Sequence, residues 1–246
     1  SPKHLDGLSG REIESKVKFD DDAETTSFLL NYDSDFERGM WLKRRCSDIR
    51  LEDISPFQSR LIHFGSVAGE LGNGLIRDLA TDASINSLDL QGFTRRFGED
   101  GKVDLQELED TGFLRNIAVL KASKPEALTG LGVDSLDAVP PVLKRLGPEV
   151  ALITDGSKGL YVIHEKSMIL IPASLQIVAD PTGAGDAAIA TFMLQHLKGE
   201  DVVWSAVVAA AAASMAVEQR GPWRVYPAAS LDERAALIEE CVKRAT

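Results

Sequence analysis

"DPTGAGDAAIATFMLQHLKG" occupies residues 180–199. Two glycines and an alanine stand directly ahead of an aspartate. Ala187 to Lys198 then runs with helical composition and stops at Gly199, a natural C-cap. The glycines therefore fall at a helix N-terminus. Backbone N–H groups without intrahelical partners, together with the positive end of the helix dipole, make such a place an anion site. Asp186 beside a bound anion would be unfavourable if it only bound. It makes chemical sense if its carboxylate removes a proton from a hydroxyl about to attack phosphorus. The N–H groups would then stabilise charge developing on the transferred phosphoryl group. The purely structural alternative is a tight turn capped by Asp186. Gly183, Gly185 and Ala188 also match the dinucleotide fingerprint G-x-G-x-x-A. That motif needs an acidic residue about 20 positions further on, to hold a ribose. The sequence there is Ala206-Val207-Val208-Ala209-Ala210, which rules the fingerprint out.

Upstream of this helix, short apolar runs alternate with helical ones. "RLIHFGS" (60–66) reads as a strand ending in Gly-Ser, and "ELGNGLIRDLATDA" (70–83) follows with helical spacing. "SINSLDLQGF" (84–93), "RNIAVLKAS" (115–123), "EVALITDGS" (149–157) and "GLYVIHE" (159–165) read as further strands. Strands alternating with helices predict an α/β fold, its parallel sheet covered on both faces. Ligands bind such sheets beyond the carboxyl ends of the strands. Those ends read Gly65-Ser66, Asp89-Leu90-Gln91, Lys121-Ala122-Ser123 and Thr154-Asp155-Gly156, all polar or small. Ahead of this region, residues 24–45 predict a separate β-hairpin. Its strand formers Thr25, Thr26, Phe28, Leu29, Leu30 and Tyr32 precede a polar turn at Asp33-Ser34-Asp35, and Met40, Trp41 and Leu42 resume the pattern.

Composition narrows the function. The chain has 246 residues, 44% hydrophobic and 26% charged, as in ordinary globular proteins. Lys plus Arg number 27 against 38 Asp plus Glu, a net charge of -11, and no basic stripe points to nucleic acid. The basic cluster Lys43-Arg44-Arg45 reads as a solvated strand end, or else as a contact with an anionic ligand. The apolar run Val202 to Val217 is shorter than the ~20 residues of a membrane span and predicts a buried helix. SPKHLDGLSG lacks the apolar core of a signal peptide. Cys46 and Cys241 form neither a metal spacing nor a disulfide framework, so a reduced, cytoplasmic setting is expected.

"DPTGAGDA" resembles the C-terminal signature D-T-x-G-A-G-D of the PfkB (ribokinase-like) carbohydrate kinases. Other segments resemble that family in the same order along the chain. "ETTSFLLNY" (24–32) is similar to a strand of its β lid, and "KASKPE" (121–126) to its N-x-x-E segment. "TDGSKG" (154–159) is similar to its nucleotide-side turn, and "AAAASMAVEQRGP" (210–222) to the helix and Gly-Pro turn flanking the adenine. The resemblance implies a ribokinase-like three-layer sandwich with a central mostly parallel sheet and a small β lid. It also implies transfer of a phosphoryl group from ATP, with Mg²⁺, to a hydroxyl of a small sugar or polyol. The same chemistry on an inositol or a nucleoside stays open, as does a catalytically silent nucleotide-binding remnant. Asp186 matches the catalytic base, and Gly183, Ala184 and Gly185 the anion hole. Thr154, Gly156, Gly159 and Gly221 match the nucleotide-binding positions. Glu126 matches the glutamate that orders water around Mg²⁺, although a glutamate after Pro125 also suits a helix start. Asp180 matches a position that holds a monovalent cation such as K⁺ in some members. Lid-to-lid pairing in the family implies a homodimer.

The match departs from the family in two places. Ser123 stands where the family has Asn, which alters the Mg²⁺ network. The family's substrate-binding aspartate and Gly-Gly segment have no counterpart, and the chain contains no Gly-Gly. Residues 1–246 are thus expected to form one N-terminally incomplete domain, with 17–45 giving lid strands and 55–246 the α/β core. In "LDLQGFTRRFG" (88–98), Asp89, Gln91 and Arg95 are polar enough to touch a polyol or its phosphate, and Asp-x-Gln-Gly-Phe-x-Arg resembles a variant seen in some small members of the family, including inositol-kinase-like ones. A helix-capping turn with a solvent-facing Arg95 is the alternative.

Overall fold

The structure is a computed structural model. It describes residues 16–32, 38–54, 58–81, 84–165, 167–174, 177–218, 220–221 and 227–245. Strand β1 (Ser27–Tyr32) pairs antiparallel with β2 (Arg38–Arg44), the hairpin expected from their strand-forming residues. The expected turn at Asp33-Ser34-Asp35 lies outside the described residues. The α/β region follows: β3 (Leu61–Phe64), α1 (Asn73–Leu79), β4 (Ile85–Asp89), α2 (Gln91–Thr94), β5 (Arg95–Phe97) and β6 (Val103–Leu105). Next come β7 (Val119–Ser123), α3 (Lys124–Gly130), α4 (Val139–Leu146), β8 (Val150–Thr154), β9 (Gly159–His164) and β10 (Ser167–Pro172). Three long helices end the chain: α5 (Ala184–Leu197), α6 (Val202–Ala216) and α7 (Ala228–Ala245).

The described residues form a six-stranded sheet of order β10-β9-β8-β7-β4-β3. Strands β3, β4, β7 and β8 are mutually parallel. Strand β9 runs the other way, antiparallel to both β8 and β10. Between β8 and "GLYVIHE" (β9) lie only the four residues Asp155–Lys158. A parallel crossover needs a dozen or more residues, so this segment must reverse as a hairpin.

Period-two alternation divides the strand side chains between two cores. In β8, Ala151 and Ile153 enter one cluster with Ile76, Ala127 and Leu143 of α1, α3 and α4. Val150 and Leu152 enter the other, with Ile189 and Phe192 of α5, Val208 of α6 and Ile238 of α7. The Ala-rich α6 lies between α5 and α7, and its small side chains let both approach. Its first turn is capped by Asp201, whose carboxylate accepts from Val203 N–H at 2.8 Å and Trp204 N–H at 3.0 Å. No helix among the described residues is long and apolar enough to cross a membrane.

The sequence reading missed the short β5–β6 hairpin. It touches the lid through a bridge between Trp41 and Lys102 and a Leu42 N–H bond to the Gly101 carbonyl at 2.7 Å. The lid is therefore fastened to a segment inside 55–246. Nearby, α2 presses on the loop after β3: a Cβ on Gly92 would fall 2.5 Å from both the carbonyl carbon and oxygen of Ser66. Gly74 in α1 has nothing within 4 Å of that position. Gly92→Ala is therefore expected to lose about 1–3 kcal/mol by overpacking, whereas Gly74→Ala gains a few tenths through helix propensity. Urea unfolding of the two variants beside the parent checks this contrast.

Candidate active site

The carboxyl ends of β3, β4, β7 and β8 meet along one edge of the sheet, and the N-terminus of α5 arrives there. The approach is built by local hydrogen bonds. Ala179 and Asp180 N–H groups bond the Val217 carbonyl at 2.7 and 3.1 Å, tying the segment to the end of α6. The Asp180 carboxylate accepts from Thr182 N–H at 3.0 Å. Ala184 N–H bonds the Pro181 carbonyl at 3.3 Å, so this N–H faces into the turn. Gly183 then takes φ +84°, the left-handed region that favours glycine, and begins α5. Gly185 lies against a buried side chain. A Cβ there would fall 2.7 Å from Lys121 Nζ and 2.9 Å from its Cε. Asp186 follows in the first helical turn and is exposed.

A polar row underlies this turn. In the sheet register His63 faces Ser87, and Asp89 faces Lys121. His63 Nδ1 lies 2.9 Å from Ser87 Oγ. Lys121 Nζ donates to Asp89 Oδ2 at 2.7 Å, and Gln91 N–H donates to the other Asp89 oxygen at 3.1 Å. Burial pushes the Asp89 carboxyl above its ordinary range, against the pull of the Lys121 ammonium. Desolvation by the packed surroundings also lowers the His63 pKa, although the residue itself is exposed. The Asp186 carboxylate opposes that shift and the Lys121 ammonium adds to it.

Across the edge, Glu126 is the third residue of α3. Its Oε2 accepts from Ser123 N–H at 2.8 Å in a capping box. Its Oε1 lies 4.0 Å from an Arg95 nitrogen. Arg95 also donates to the Val67 carbonyl and to Gln91 Oε1, each at 2.8 Å, and its guanidinium stacks 5.5 Å over the Phe28 ring of β1. Asp89, Gln91 and Arg95, expected from sequence to face an acceptor, thus hold one another, with Asp89 and Arg95 buried. Arg95 is buried at 8% exposure, so the solvent-facing alternative is overturned. Thr154 ends β8 beside Ser123. Gly156 and Gly159 both have positive φ, and Gly159 abuts the Ile171 carbonyl of β10. Lys124 Nζ lies 3.1 Å from Asp155, joining the turns after β7 and β8. Gly221 is exposed with φ +95°, and residues 222–226 beyond it lie outside the described residues.

The sequence reading assigned no role to His63, Ser87 or Lys121. The signal was present, since a lysine interrupts "AVLKAS" and a histidine interrupts "LIHF", each amid residues destined for the core. Among the described residues no group of three or more His, Cys, Asp or Glu could hold a metal directly.

The model of the "pfkB family carbohydrate kinase" matches residues 104–229. The chain belongs to the pfkB family. It is 29% identical over 180 residues to inositol 3-kinase of Arabidopsis thaliana, covering 72% of this chain and 48% of that one. It is 39% identical over 79 residues to a nucleoside kinase of Methanothermobacter thermautotrophicus, covering 32% of this chain and 25% of that one. It therefore spans about half the length of the first of these curated relatives and a quarter of the second. In fold, this pfkB chain resembles a pyrophosphate-dependent kinase of the ribokinase family solved with sulfate. The TM-score is 0.72 at 24% identity, over 81% of this chain and 72% of that one. It also resembles a Vibrio cholerae fructokinase solved with fructose, ADP and potassium, with TM-score 0.70 at 20% identity, over 88% of this chain and 74% of that one. The mostly parallel sheet between two helical layers is thus the ribokinase-like sandwich.

Because the native His63 pKa lies below its ordinary 6.5, the unfolded chain binds that proton first. The stability contributed by neutral His63 is present above about pH 6.5 and is lost as pH falls below it. His63→Gln is expected to flatten the fall of the thermal midpoint between about pH 7.5 and 5.5. Differential scanning fluorimetry of parent and variant across that range reads the difference.

Proposed function

We propose that this pfkB chain catalyses phosphoryl transfer from ATP to a hydroxyl of a small sugar or polyol. The observation that carries the reading is the placement of an exposed aspartate in the first turn of α5, directly after a glycine turn at the carboxyl edge of the sheet. Asp186 takes the acceptor's proton as its oxygen attacks phosphorus. The backbone of Gly183 to Gly185 and the dipole of α5 draw the transferring phosphoryl charge toward the helix end. Ala184 shapes that turn, its own N–H being bonded to Pro181. Thr154, Gly156, Gly159 and Gly221 line the nucleotide side. Asp180 caps its turn and is the site for a monovalent cation such as K⁺.

Mg²⁺ fits the donor set in one manner. Glu126 is a single carboxylate with one oxygen in a capping bond, so it suits a metal held through water and phosphate oxygens. When bound, Mg²⁺ supplies charge neutralisation to the donor phosphates. Asp89, Gln91 and Arg95 support the acceptor side from within, by fixing the loop after β3 and the lid strand β1. The lid excludes water that would otherwise hydrolyse the donor. We further infer a homodimer through that lid. A cytoplasmic setting is consistent with free thiols at Cys46 and Cys241.

The 180-residue match to inositol 3-kinase makes inositols the first acceptors to try, ahead of pentoses, hexoses and nucleosides. ADP release from Mg²⁺-ATP is expected to depend on one of these acceptors. Asp186→Asn is expected to reduce it about 10²–10⁴-fold, the range of a lost general base. Release that survives in the variant would remove Asp186 as the base. Acceptor-independent release, or none, would overturn the kinase reading. Size-exclusion chromatography with light scattering tests the dimer.

A further inference from the structure

We propose that Lys121 is a positioning residue for phosphoryl transfer: its ammonium, held by Asp89 beneath the N-terminus of α5, supports the Gly183–Gly185 turn and places positive charge behind it. This rests on the reading of that turn as the anion hole.

Lys121 lies in the centre of the sheet, on the face that α5 covers. The neighbouring positions of that face, Val119 and Leu152, are apolar. Packing alone would place another apolar residue there. The chain instead inserts a cation, with side-chain exposure of 8%, and β4 supplies a counterion at 1%. Buried pairs of this kind can often be replaced by apolar residues without loss of stability, so stability gives weak reason to have one.

The orientation of the pair supplies a different reason. Asp89 turns its second oxygen toward Gln91 N–H, away from the ammonium. Lys121 Nζ occupies the space a Gly185 Cβ would need. The pair is thus a fixed dipole with its positive end against the helix turn. It adds to the field of the helix N-terminus and is already oriented before charge develops. The charge of Lys121 also reaches His63, which feels Asp186 as well, so the ammonium and the proposed base act on one neighbourhood. Lys121 cannot touch a substrate through Gly185; it acts by holding that residue.

The test compares the parent with Lys121→Met, Asp89→Asn and the double variant, using acceptor-dependent ADP release. Lys121→Met is expected to lower kcat at least about tenfold, with KM for ATP and acceptor within about twofold. Each single variant is expected to lower the thermal midpoint, by leaving a buried group without its partner. The double variant is expected to regain that midpoint while kcat stays low. A double variant that regains both would make the pair purely structural and overturn the proposal, as would parental kcat in Lys121→Met. A parent without transfer to any acceptor would remove the kinase reading but still leave this inference open to test. Calorimetric titration with inorganic pyrophosphate then decides, with at least about tenfold weaker binding expected in the double variant. Equal affinity, or no binding to the parent, overturns the proposal.

Discussion

A single ion pair buried between two strands sets where the helix bearing the proposed base meets the sheet. Asp89 and Lys121 face each other in the register of β4 and β7. Their 2.7 Å contact fills the space under Gly185. The first turn of α5 settles against that ammonium, and a Cβ at position 185 would force either the helix or the ion pair to shift. The position of Asp186 one residue later follows from this close approach. Such a pair adds little to stability when intact, yet losing one partner costs about 3–5 kcal/mol, because the other charge is left buried. The fold is therefore committed to keeping both members, and with them a fixed distance between helix and sheet.

The side proposed to take the acceptor is governed by the loop that follows β3. The Glu70 carboxylate turns inward and accepts from Val67 N–H at 3.0 Å, Ala68 N–H at 2.7 Å and Ser66 Oγ at 3.1 Å. The loop carbonyls are then taken by two arginines from different parts of the protein. Arg45, at the root of the lid, donates to Ala68 and Gly69 carbonyls at 2.8 and 2.9 Å. Arg95, in the core, donates to Val67 and stacks on Phe28 of the lid. Lid, loop and the Glu126 carboxylate are thus joined through one guanidinium. A planar group with several fixed donors can make such a junction, which a lysine ammonium cannot. If the proposed acceptor binds here, the arrangement offers it a preformed wall rather than one assembled on binding.

The sequence exposed whatever depended on neighbours along the chain. The glycine turn into α5, the capping box from Ser123 to Glu126 and the strand ends could be read locally, because caps and turns act over three or four residues. Contacts between distant segments could not. Lys121 looked like part of "KASKPE" until β4 brought Asp89 against it. Asp89, Gln91 and Arg95 looked like a polar surface, because polarity alone does not distinguish a solvated group from one paired in the interior. Gly92 gave no sign of the 2.5 Å approach of Ser66, which lies 26 residues earlier in the chain. The reversal of β9 was legible in principle, since the four residues Asp155–Lys158 cannot carry a crossover.

The charge distribution bears on the proposed reaction as a whole. A chain of net charge -11 repels an anionic donor at long range. Any attraction must come from local groups at the sheet edge, within the about 8–10 Å over which salt leaves a field effective. Such groups are present there. The N-terminus of α5 offers a positive dipole end with Lys121 behind it, and Lys124 and Lys158 flank the turn after β8. Asp155 pairs with both of these lysines, at 3.1 and 3.7 Å, and so limits the excess positive charge. Pairing of this kind favours release of a charged product as well as capture of a charged substrate. An edge with unpaired lysines would hold the nucleotide more tightly before and after transfer alike, which does not speed the chemical step. The dipole of α5 and the Asp89–Lys121 pair differ from such lysines in being fixed and directional. In the proposed reaction they would act at the place where charge changes as the phosphoryl group moves, and such selectivity is what a catalyst requires.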